Sequence, residues 1–268
     1  MGGDTILSAG GLTRRFGGIT AVDDYHLKLN RGDLVGLIGP NGAGKTTVFN
    51  MLSGVLRPSG GRVAIGGQEL TGRPAHEFAR AGLARTFQNI RLFNDLSVLD
   101  NVMCGGHMRQ GAGLWATMLQ LPRFWQAEAA IREGAAQAIT LAGLDAHISR
   151  RAGDLSYGDQ RRVEIARALA LRPAVLLLDE PAAGLNPSET AALTALIRRL
   201  VGDQGITVLL VEHDMRLVMS LCDRIQVLNR GAFVAEGRPR EIQSDPAVIE
   251  AYLGTRRSGH AAPAGAVA

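Results

Sequence analysis

A glycine-rich segment at residues 39–47, GPNGAGKTT, constrains the fold more than any other part of this sequence. It follows the apolar run LVGLIG, whose continuous hydrophobicity is typical of a strand buried on both faces. The segment KTTVFNMLSGVL that comes next carries apolar residues at helical spacing. A strand, a glycine loop and a helix in this order predict a phosphate-binding loop within an α/β fold.

The residue types in this loop each have a physical reason. Gly39, Gly44, Lys45 and Thr46 match the pattern G-x-x-x-x-G-K-[ST]. Glycines let backbone N–H groups turn towards phosphate oxygens, and the following helix adds positive potential. Lys45 can reach the β- and γ-phosphates as a compact charge, and Thr46 can place its hydroxyl on Mg²⁺. The alternative, a plain glycine turn, would need neither side chain. We therefore predict nucleotide contacts from Gly39, Pro40, Asn41, Gly42, Ala43, Gly44, Lys45, Thr46 and Thr47.

Strand patterns elsewhere predict two kinds of sheet. Alternating apolar and polar residues in ILSAGGLTRRF and AVDDYHLKLN predict antiparallel strands near the N-terminus, and GRVAIGGQEL predicts a strand pair with a Gly-Gly turn. Strand signals return at 174–179, 206–211 and 224–229, with helical segments between them. This alternation predicts a mostly parallel sheet.

A helical stretch at 97–170 interrupts these strands. We expect one domain over 5–254, whose core is formed by 5–96 and 171–254. The small residues of 255–268 predict a disordered tail. A further helix should begin at NPSETAALTALIRRL, where Asn186 can cap it, Pro187 suits its first position and Glu189 can bond back to the cap.

Composition restricts the kinds of partner. The net charge of +4 comes from scattered arginines and only 4% of residues are aromatic, so we expect no nucleic-acid surface. Cys104 and Cys222 are far apart, which predicts neither a disulfide framework nor a metal site and fits a reducing compartment. The N-terminus has no apolar signal core, and no stretch approaches the ~18 apolar residues that span a bilayer.

Two adjacent acids end the hydrophobic segment AVLLLDEP. In phosphate-loop ATPases the first such acid, here Asp179, holds Mg²⁺, usually through water. The next acid, Glu180, is placed to polarise an attacking water. The alternative is a strand that simply ends in a charged turn, but the presence of the phosphate loop favours the catalytic interpretation.

Six motifs in order make the sequence resemble ABC-type ATPases from Leu7 to Gly254. Besides the phosphate loop and the acidic strand, they are RTFQNI with Gln88, the signature segment DLSYGDQRRVEIARALA, the D-loop AAGLNP and LLVEHD with His213. The resemblance implies a P-loop NTPase core with a mostly parallel sheet, an N-terminal antiparallel β subdomain and an inserted α-helical signature subdomain. It also implies ATP and Mg²⁺ as cofactors.

The resemblance assigns roles to single residues. Gln88 would contact Mg²⁺ or the attacking water and sense the membrane partner, and His213 would bond the γ-phosphate. Thr46, Gln88 and Asp179 would form the metal site. Phe16 would stack on adenine, with Val22 beside it.

The signature residues Leu155, Ser156, Tyr157, Gly158 and Asp159 would bind ATP held by a second subunit. Ser156 is also an ordinary helix N-cap, and the two roles are compatible. Tyr157 replaces the family's usual glycine and Asp159 its glutamine. The extra charge at Asp159 would weaken closure, unless its side chain points away and caps the following helix. Asn186 replaces the commoner aspartate of the D-loop.

Longer segments resemble the larger ATPase subunit of branched-chain amino acid importers, among them GGITAVDD, EPAAGLNPSE, VEHDMRLVM and PAVIEAYLG. This implies a second, smaller ATPase subunit, two membrane permeases, a periplasmic binding protein and a place at the cytoplasmic face of a bacterial inner membrane. Urea, short amides and aromatic acids stay open as alternative solutes.

Three other functions are disfavoured. Soluble ABC ATPases of DNA maintenance insert long coiled coils, and the sequence has no sustained heptads. A module that holds ATP without turnover would not need both Glu180 and His213. The SYG and AYLG features disfavour an exporter. An apolar insert at 106–128 leaves two alternatives, packing within the helical subdomain or docking against a permease loop; its large apolar residues are Trp115, Leu119, Leu121, Phe124 and Trp125.

Overall fold

The computed structural model describes residues 4–110, 118 and 122–257, and a six-stranded sheet forms its centre. From edge to edge the strands are Ala232–Gly237 (β10), Arg224–Asn229 (β9), Leu34–Ile38 (β3), Thr207–Val211 (β8), Val175–Asp179 (β7) and Leu83–Arg85 (β6). Only β10 runs antiparallel to its neighbour. The predicted mostly parallel sheet is therefore confirmed, although the edge strands β6 and β10 were not predicted.

A second, antiparallel sheet contains the N-terminal strands. Its order is Ile19–Asn30 (β2), Thr5–Phe16 (β1), Gly60–Ile65 (β4) and Gln68–Glu69 (β5). Gly66 and Gly67 connect β4 to β5 and have φ angles of 56° and 81°. Two-residue hairpins favour such positive φ angles because their twist matches that of the strands. The antiparallel prediction is confirmed, including its Gly-Gly turn.

Nine helices complete the described part of the chain: Lys45–Leu52 (α1), Ala75–Arg80 (α2), Val98–Gln110 (α3), Pro122–Leu141 (α4), Tyr157–Leu169 (α5), Pro187–Gly202 (α6), Met215–Leu221 (α7), Pro239–Ser244 (α8) and Pro246–Arg257 (α9). The start of α6 is as predicted, because Asn186 and Glu189 form a reciprocal capping box. None of these helices has both the length and the hydrophobicity that a bilayer span requires.

The C-terminal helix corrects one prediction. Disorder was expected from residue 255, but α9 continues to Arg257. Val248 and Ala251 on this helix are buried, and Val248 belongs to the core. This packing stabilises a helix that local composition alone did not indicate. Residues 258–268 of the expected tail lie outside the described residues.

The apolar insert at 106–128 is described only in part. Trp115, Leu119 and Leu121 lie outside the described residues. At the start of α4, Phe124 and Trp125 make an edge-to-face contact with ring centroids 5.2 Å apart. Phe124 is half-buried, whereas Trp125 is 58% exposed, so both alternatives for this insert stay open.

The central sheet has a hydrophobic layer on each face. On β3, Val35 and Leu37 face the antiparallel sheet and α1, whereas Leu34 and Ile38 face the helical side. The carboxyl ends of the parallel strands β3, β7 and β8 meet at one edge. In folds of this kind that edge is where ligands bind.

Candidate nucleotide site

The loop after β3 has a backbone that only glycine accommodates well. Gly39, Gly42 and Gly44 have φ angles of 154°, 79° and 99°. A Cβ atom on Gly39 would lie 2.1 Å from the Leu228 carbonyl oxygen, and one on Gly44 would lie 2.7 Å from that of Ala21. Close backbone packing therefore fixes both ends of the loop, as its predicted phosphate-binding role requires.

Lys45 is held against the inside of this loop. Its Nζ donates hydrogen bonds to the carbonyl oxygens of Gly39 at 2.7 Å and Pro40 at 3.1 Å. Burial lowers the pKa of Lys45, and the charges of Glu180 and Asp179 partly raise it again. The ammonium group is thus held against the loop backbone by the carbonyl oxygens of Gly39 and Pro40.

A cavity of about 580 Å³ lies beside the loop. Its lining residues are Ile19, Thr20, Ala21, Asn41, Gly42, Ala43, Gly44, Lys45, Thr46, Thr47, Gln88, Glu180 and Arg230. The structure therefore brings most of the predicted loop residues together with Gln88 and Glu180. Arg230 was not predicted; it reaches the site because the neighbouring Gly231 N–H donates to the Ala43 carbonyl at 2.9 Å.

The two residues expected around adenine lie outside this cavity lining. Phe16 ends β1 and is 46% exposed, with the Arg14 guanidinium 4.6 Å from its ring centroid. Val22 is fully buried in the core next to Gly44. Phe16 therefore offers an accessible aromatic ring, whereas Val22 packs in the core beside Gly44 of the loop.

Asp179, at the end of β7, forms a buried ion pair that the sequence did not indicate. The Arg85 guanidinium donates to its Oδ2 at 2.8 Å. Arg85 also donates to the side-chain oxygens of Asn50 on α1 at 2.7 Å and of Ser53, the residue after α1, at 3.0 Å. The carboxylate is therefore fixed to the strand before Gln88 and to the helix after the phosphate loop.

Two of the predicted catalytic side chains, those of Gln88 and His213, converge on a carboxylate oxygen of the third, Glu180. The Gln88 side-chain amide donates to Oε2 of Glu180 at 2.8 Å. Nδ1 of His213 lies 3.8 Å from the same oxygen, and its ring is largely exposed. Glu180 has a positive φ of 46° directly after β7. Glu180 is thus the centre of a group that can orient a water molecule.

The predicted Mg²⁺ ligands are chemically suitable. Thr46 offers a hydroxyl, Gln88 a side-chain carbonyl and Asp179 a carboxylate, and Mg²⁺ prefers such oxygen ligands. Within residues 4–110, 118 and 122–257, no cluster of three or more His, Cys, Asp or Glu residues could hold a metal ion by itself.

The signature residues form the N-terminus of α5. Oγ of Ser156 accepts a hydrogen bond from the Asp159 N–H at 3.1 Å, which confirms the predicted N-cap. The Asp159 carboxylate pairs with Arg162 and lies 3.8 Å from Nε2 of His147. It therefore points along α5, away from the exposed N-terminus, and caps no helix. Leu155 is buried and Tyr157 is 44% exposed.

Glu189 contacts the signature from α6. Its Oε1 accepts from the Gly158 N–H at 3.3 Å, and its Oε2 accepts from the Asn186 N–H at 3.0 Å. A Cβ atom on Gly158 would lie 2.6 Å from Cδ of Glu189. The D-loop and the signature are therefore joined within one chain, and a side chain at position 158 would displace the Glu189 carboxylate.

A buried pair on α5 holds the backbone around Gln88. The Arg161 guanidinium donates to the carbonyl oxygens of Phe87 and Gln88, both at 2.8 Å, and to Glu164. Oε1 of Glu164 accepts from the Phe87 N–H at 3.3 Å. Sequence reasoning missed this pair, because nothing local distinguishes Arg161 from the exposed arginines near it.

Comparison with known proteins agrees with this geometry. The family model described as "ABC transporter" matches residues 22–183, which span the loop, Gln88, the signature and both acids. The chain belongs to the ABC transporter ATP-binding family. The resemblance found in the sequence is thereby confirmed, and this ABC ATPase has the nucleotide-binding domain of that family.

Two relatives are similar over nearly all of this ABC ATPase. It is 48% identical to the high-affinity branched-chain amino acid transport ATP-binding protein BraF of Pseudomonas aeruginosa and 47% identical to LivG of Escherichia coli K12. Each match covers 93% of this chain and 98% of the relative. A model described as "Branched-chain amino acid ATP-binding cassette transporter" matches residues 234–257. The ADP conformation of MJ1267, an ATP-binding cassette of an ABC transporter, superposes with a TM-score of 0.81 at 31% identity, covering 93% of this chain and 99% of that one.

Proposed function

We propose that this ABC ATPase is the ATP-hydrolysing subunit of a membrane importer for branched-chain amino acids. The observation that carries the hydrolytic role is the convergence of Gln88 and His213 on Oε2 of Glu180, beside the phosphate loop. The solute class rests on the similarity to BraF and LivG and on the match over 234–257, which covers most of β10 and all of α8 and α9.

In this proposal the nucleotide phosphates lie on the loop and Lys45. Thr46, Gln88 and Asp179 would hold Mg²⁺, which would neutralise charge on the phosphates. Glu180 orients the attacking water, and His213 donates a hydrogen bond to the γ-phosphate. Phe16 stacks on the adenine ring from its exposed position at the end of β1.

The signature supports a composite site. None of the residues from Leu155 to Asp159 lines the cavity beside the phosphate loop. In this proposal the N-terminus of α5 serves the ATP of a second subunit, where Ser156 and the helix dipole would offer an anion site. In the assembly we propose, that subunit is a smaller paralogue, and both ATPases attach to two permeases at the cytoplasmic face of a bacterial inner membrane. A periplasmic binding protein delivers the solute.

The test is reconstitution of the full chain with the ATPase, permeases and binding protein encoded by its neighbouring genes. We expect ATP-dependent uptake of leucine into proteoliposomes, and none with Lys45→Ala. Uptake of urea, acetamide or benzoate in place of leucine would move the proposal to the alternative solutes. ATP hydrolysis without any uptake would contradict the importer role. A transport-competent homodimer would contradict the pairing with a paralogue.

A further inference from the structure

Glu212, directly after β8, is a buried acid that connects two loops of the site. It is 1% exposed, and both of its carboxylate oxygens accept backbone hydrogen bonds. Oε1 accepts from the Ala182 N–H at 2.8 Å, and Oε2 accepts from the His213 N–H at 3.2 Å. Burial raises the pKa of Glu212, whereas these two donors lower it. The carboxylate thus joins the D-loop to the segment that carries His213.

The same contact supports the turn that carries Glu180. Asp179 is paired in register with Val211, so Glu180 and Glu212 leave neighbouring strands side by side. Glu180 has a left-handed φ of 46°, a backbone conformation that residues other than glycine rarely adopt. Its N–H donates to the Val211 carbonyl at 2.9 Å. Glu180 is followed by Pro181, which has no backbone N–H. The next backbone N–H is that of Ala182, and it donates to the Glu212 carboxylate.

We propose that Glu212 is a positioning residue for ATP hydrolysis. By holding the N–H groups of Ala182 and His213, it fixes the turn that aims Glu180 and the backbone that presents His213. This inference rests on the proposed role of Glu180. Glu212 does not line the cavity, so it acts through Glu180 and His213 and does not contact the nucleotide.

The competing explanation is that Glu212 only stabilises the fold. Thr207 at the opposite end of β8 provides a matched control. It is also fully buried, and its hydroxyl accepts from the Gly32 N–H at 3.0 Å and donates to the Asn30 carbonyl at 3.1 Å. Thr207→Val therefore removes buried hydrogen bonds from the same strand without touching the site.

The first experiment compares Glu212→Gln with Thr207→Val in the reconstituted transporter. A glutamine amide presents an NH2 group to one of the two N–H donors, so one of the two bonds is lost. For Glu212→Gln we expect kcat to fall on the order of tenfold while KM for ATP stays within about twofold. For Thr207→Val we expect a lower Tm with wild-type kcat. Unchanged kcat in Glu212→Gln would overturn the proposal, and so would an equal fall in Thr207→Val.

The second experiment is a double-mutant cycle with Glu180→Gln. Because Glu212 acts in part through Glu180, adding Glu212→Gln to Glu180→Gln should lower the residual rate by clearly less than the tenfold expected in the wild type. An equal fold-change in both backgrounds would show an independent action and contradict the proposal. Should Glu212→Gln fail to fold, Glu212→Asp keeps the charge but is too short to reach both donors. We expect it to lower kcat too, and wild-type kcat would overturn the proposal. A wild-type transporter without ATPase activity would instead refute the proposed function.

Discussion

Arg85 and Asp179, which are 94 residues apart in the sequence, form an ion pair of 2.8 Å beneath the nucleotide site. Both side chains are almost inaccessible, at 8% and 7% exposure. The guanidinium also donates to Asn50 on α1 and to Ser53 directly after it. A single arginine therefore fixes the proposed magnesium carboxylate to two other elements of the site.

Replacing Arg85 by Met should destabilise the protein strongly. Asp179 would remain buried without its partner, and breaking a buried pair in this way typically costs about 3–5 kcal/mol. Urea unfolding followed by circular dichroism measures this loss. The matched control is Arg31→Met, since Arg31 pairs with Asp4 at 3.2 Å but both side chains are exposed. We expect the control to lose less than about 1 kcal/mol, and equal losses would contradict this reasoning.

The site residues that could be predicted from the sequence are those that belong to a short, local sequence motif. The loop from Gly39 to Thr47 is recognisable because its spacing is set by one turn of backbone around a phosphate. Asp179 and Glu180 are recognisable because they end a hydrophobic segment in a chain that also carries a phosphate loop. The edge strands β6 and β10 were not predicted. β6 has only three residues, and β10 has no buried residue that would give it a hydrophobic pattern.

The supporting residues could not be predicted, because their partners are distant in the chain. Arg161 meets the Phe87 carbonyl across 74 residues, and Glu212 meets the Ala182 N–H across 30. In the sequence these side chains look like ordinary charged residues of a helix and a strand end. Only the fold brings each one to an otherwise unpaired backbone group.

Lys45→Ala should abolish ATP binding. No other residue of the loop carries a positive charge, and the chain's one other lysine, Lys28, lies on the exposed side of β2. Lys28→Ala is therefore a control with the same loss of charge. Isothermal titration with ATP and Mg²⁺ should detect binding for Lys28→Ala and none for Lys45→Ala. Unchanged affinity in Lys45→Ala would refute the phosphate-loop assignment.

Glu180→Gln should leave ATP binding intact and reduce turnover to a small residual rate. A glutamine keeps the size of the side chain and can still contact Gln88, but it cannot take a proton from water. ATP should then accumulate in a closed assembly of two ATPase subunits, which gel filtration detects as an ATP-dependent increase in size. The double variant with Lys45→Ala should show no such increase. Turnover near the wild-type rate would contradict the role of Glu180 as general base.

The two cysteines should differ sharply in reactivity. Cys104 is exposed on α3, whereas Cys222 is buried next to Gly36. Burial, together with the charges of Asp223 and Glu212, raises the pKa of Cys222 from 9.0 to about 12. Because the thiolate is the reactive form, Ellman's reagent should label only Cys104 in the native protein at pH 8 and both cysteines after denaturation. Cys104→Ser should remove the native signal, and rapid native labelling of both thiols would refute the burial of Cys222.

The raised pKa of Cys222 also predicts how the unfolding free energy depends on pH. The folded pKa of Cys222 lies above its unfolded value, so its contribution is complete below pH 9 and is lost as the pH rises to about 12. In Cys222→Ala this contribution is absent, and all other titrating groups are shared with the wild type. The difference in unfolding free energy between wild type and Cys222→Ala should therefore shrink as the pH rises from 9 towards 12. Urea unfolding at several pH values measures it, and a difference that grew over this range would contradict the assigned direction.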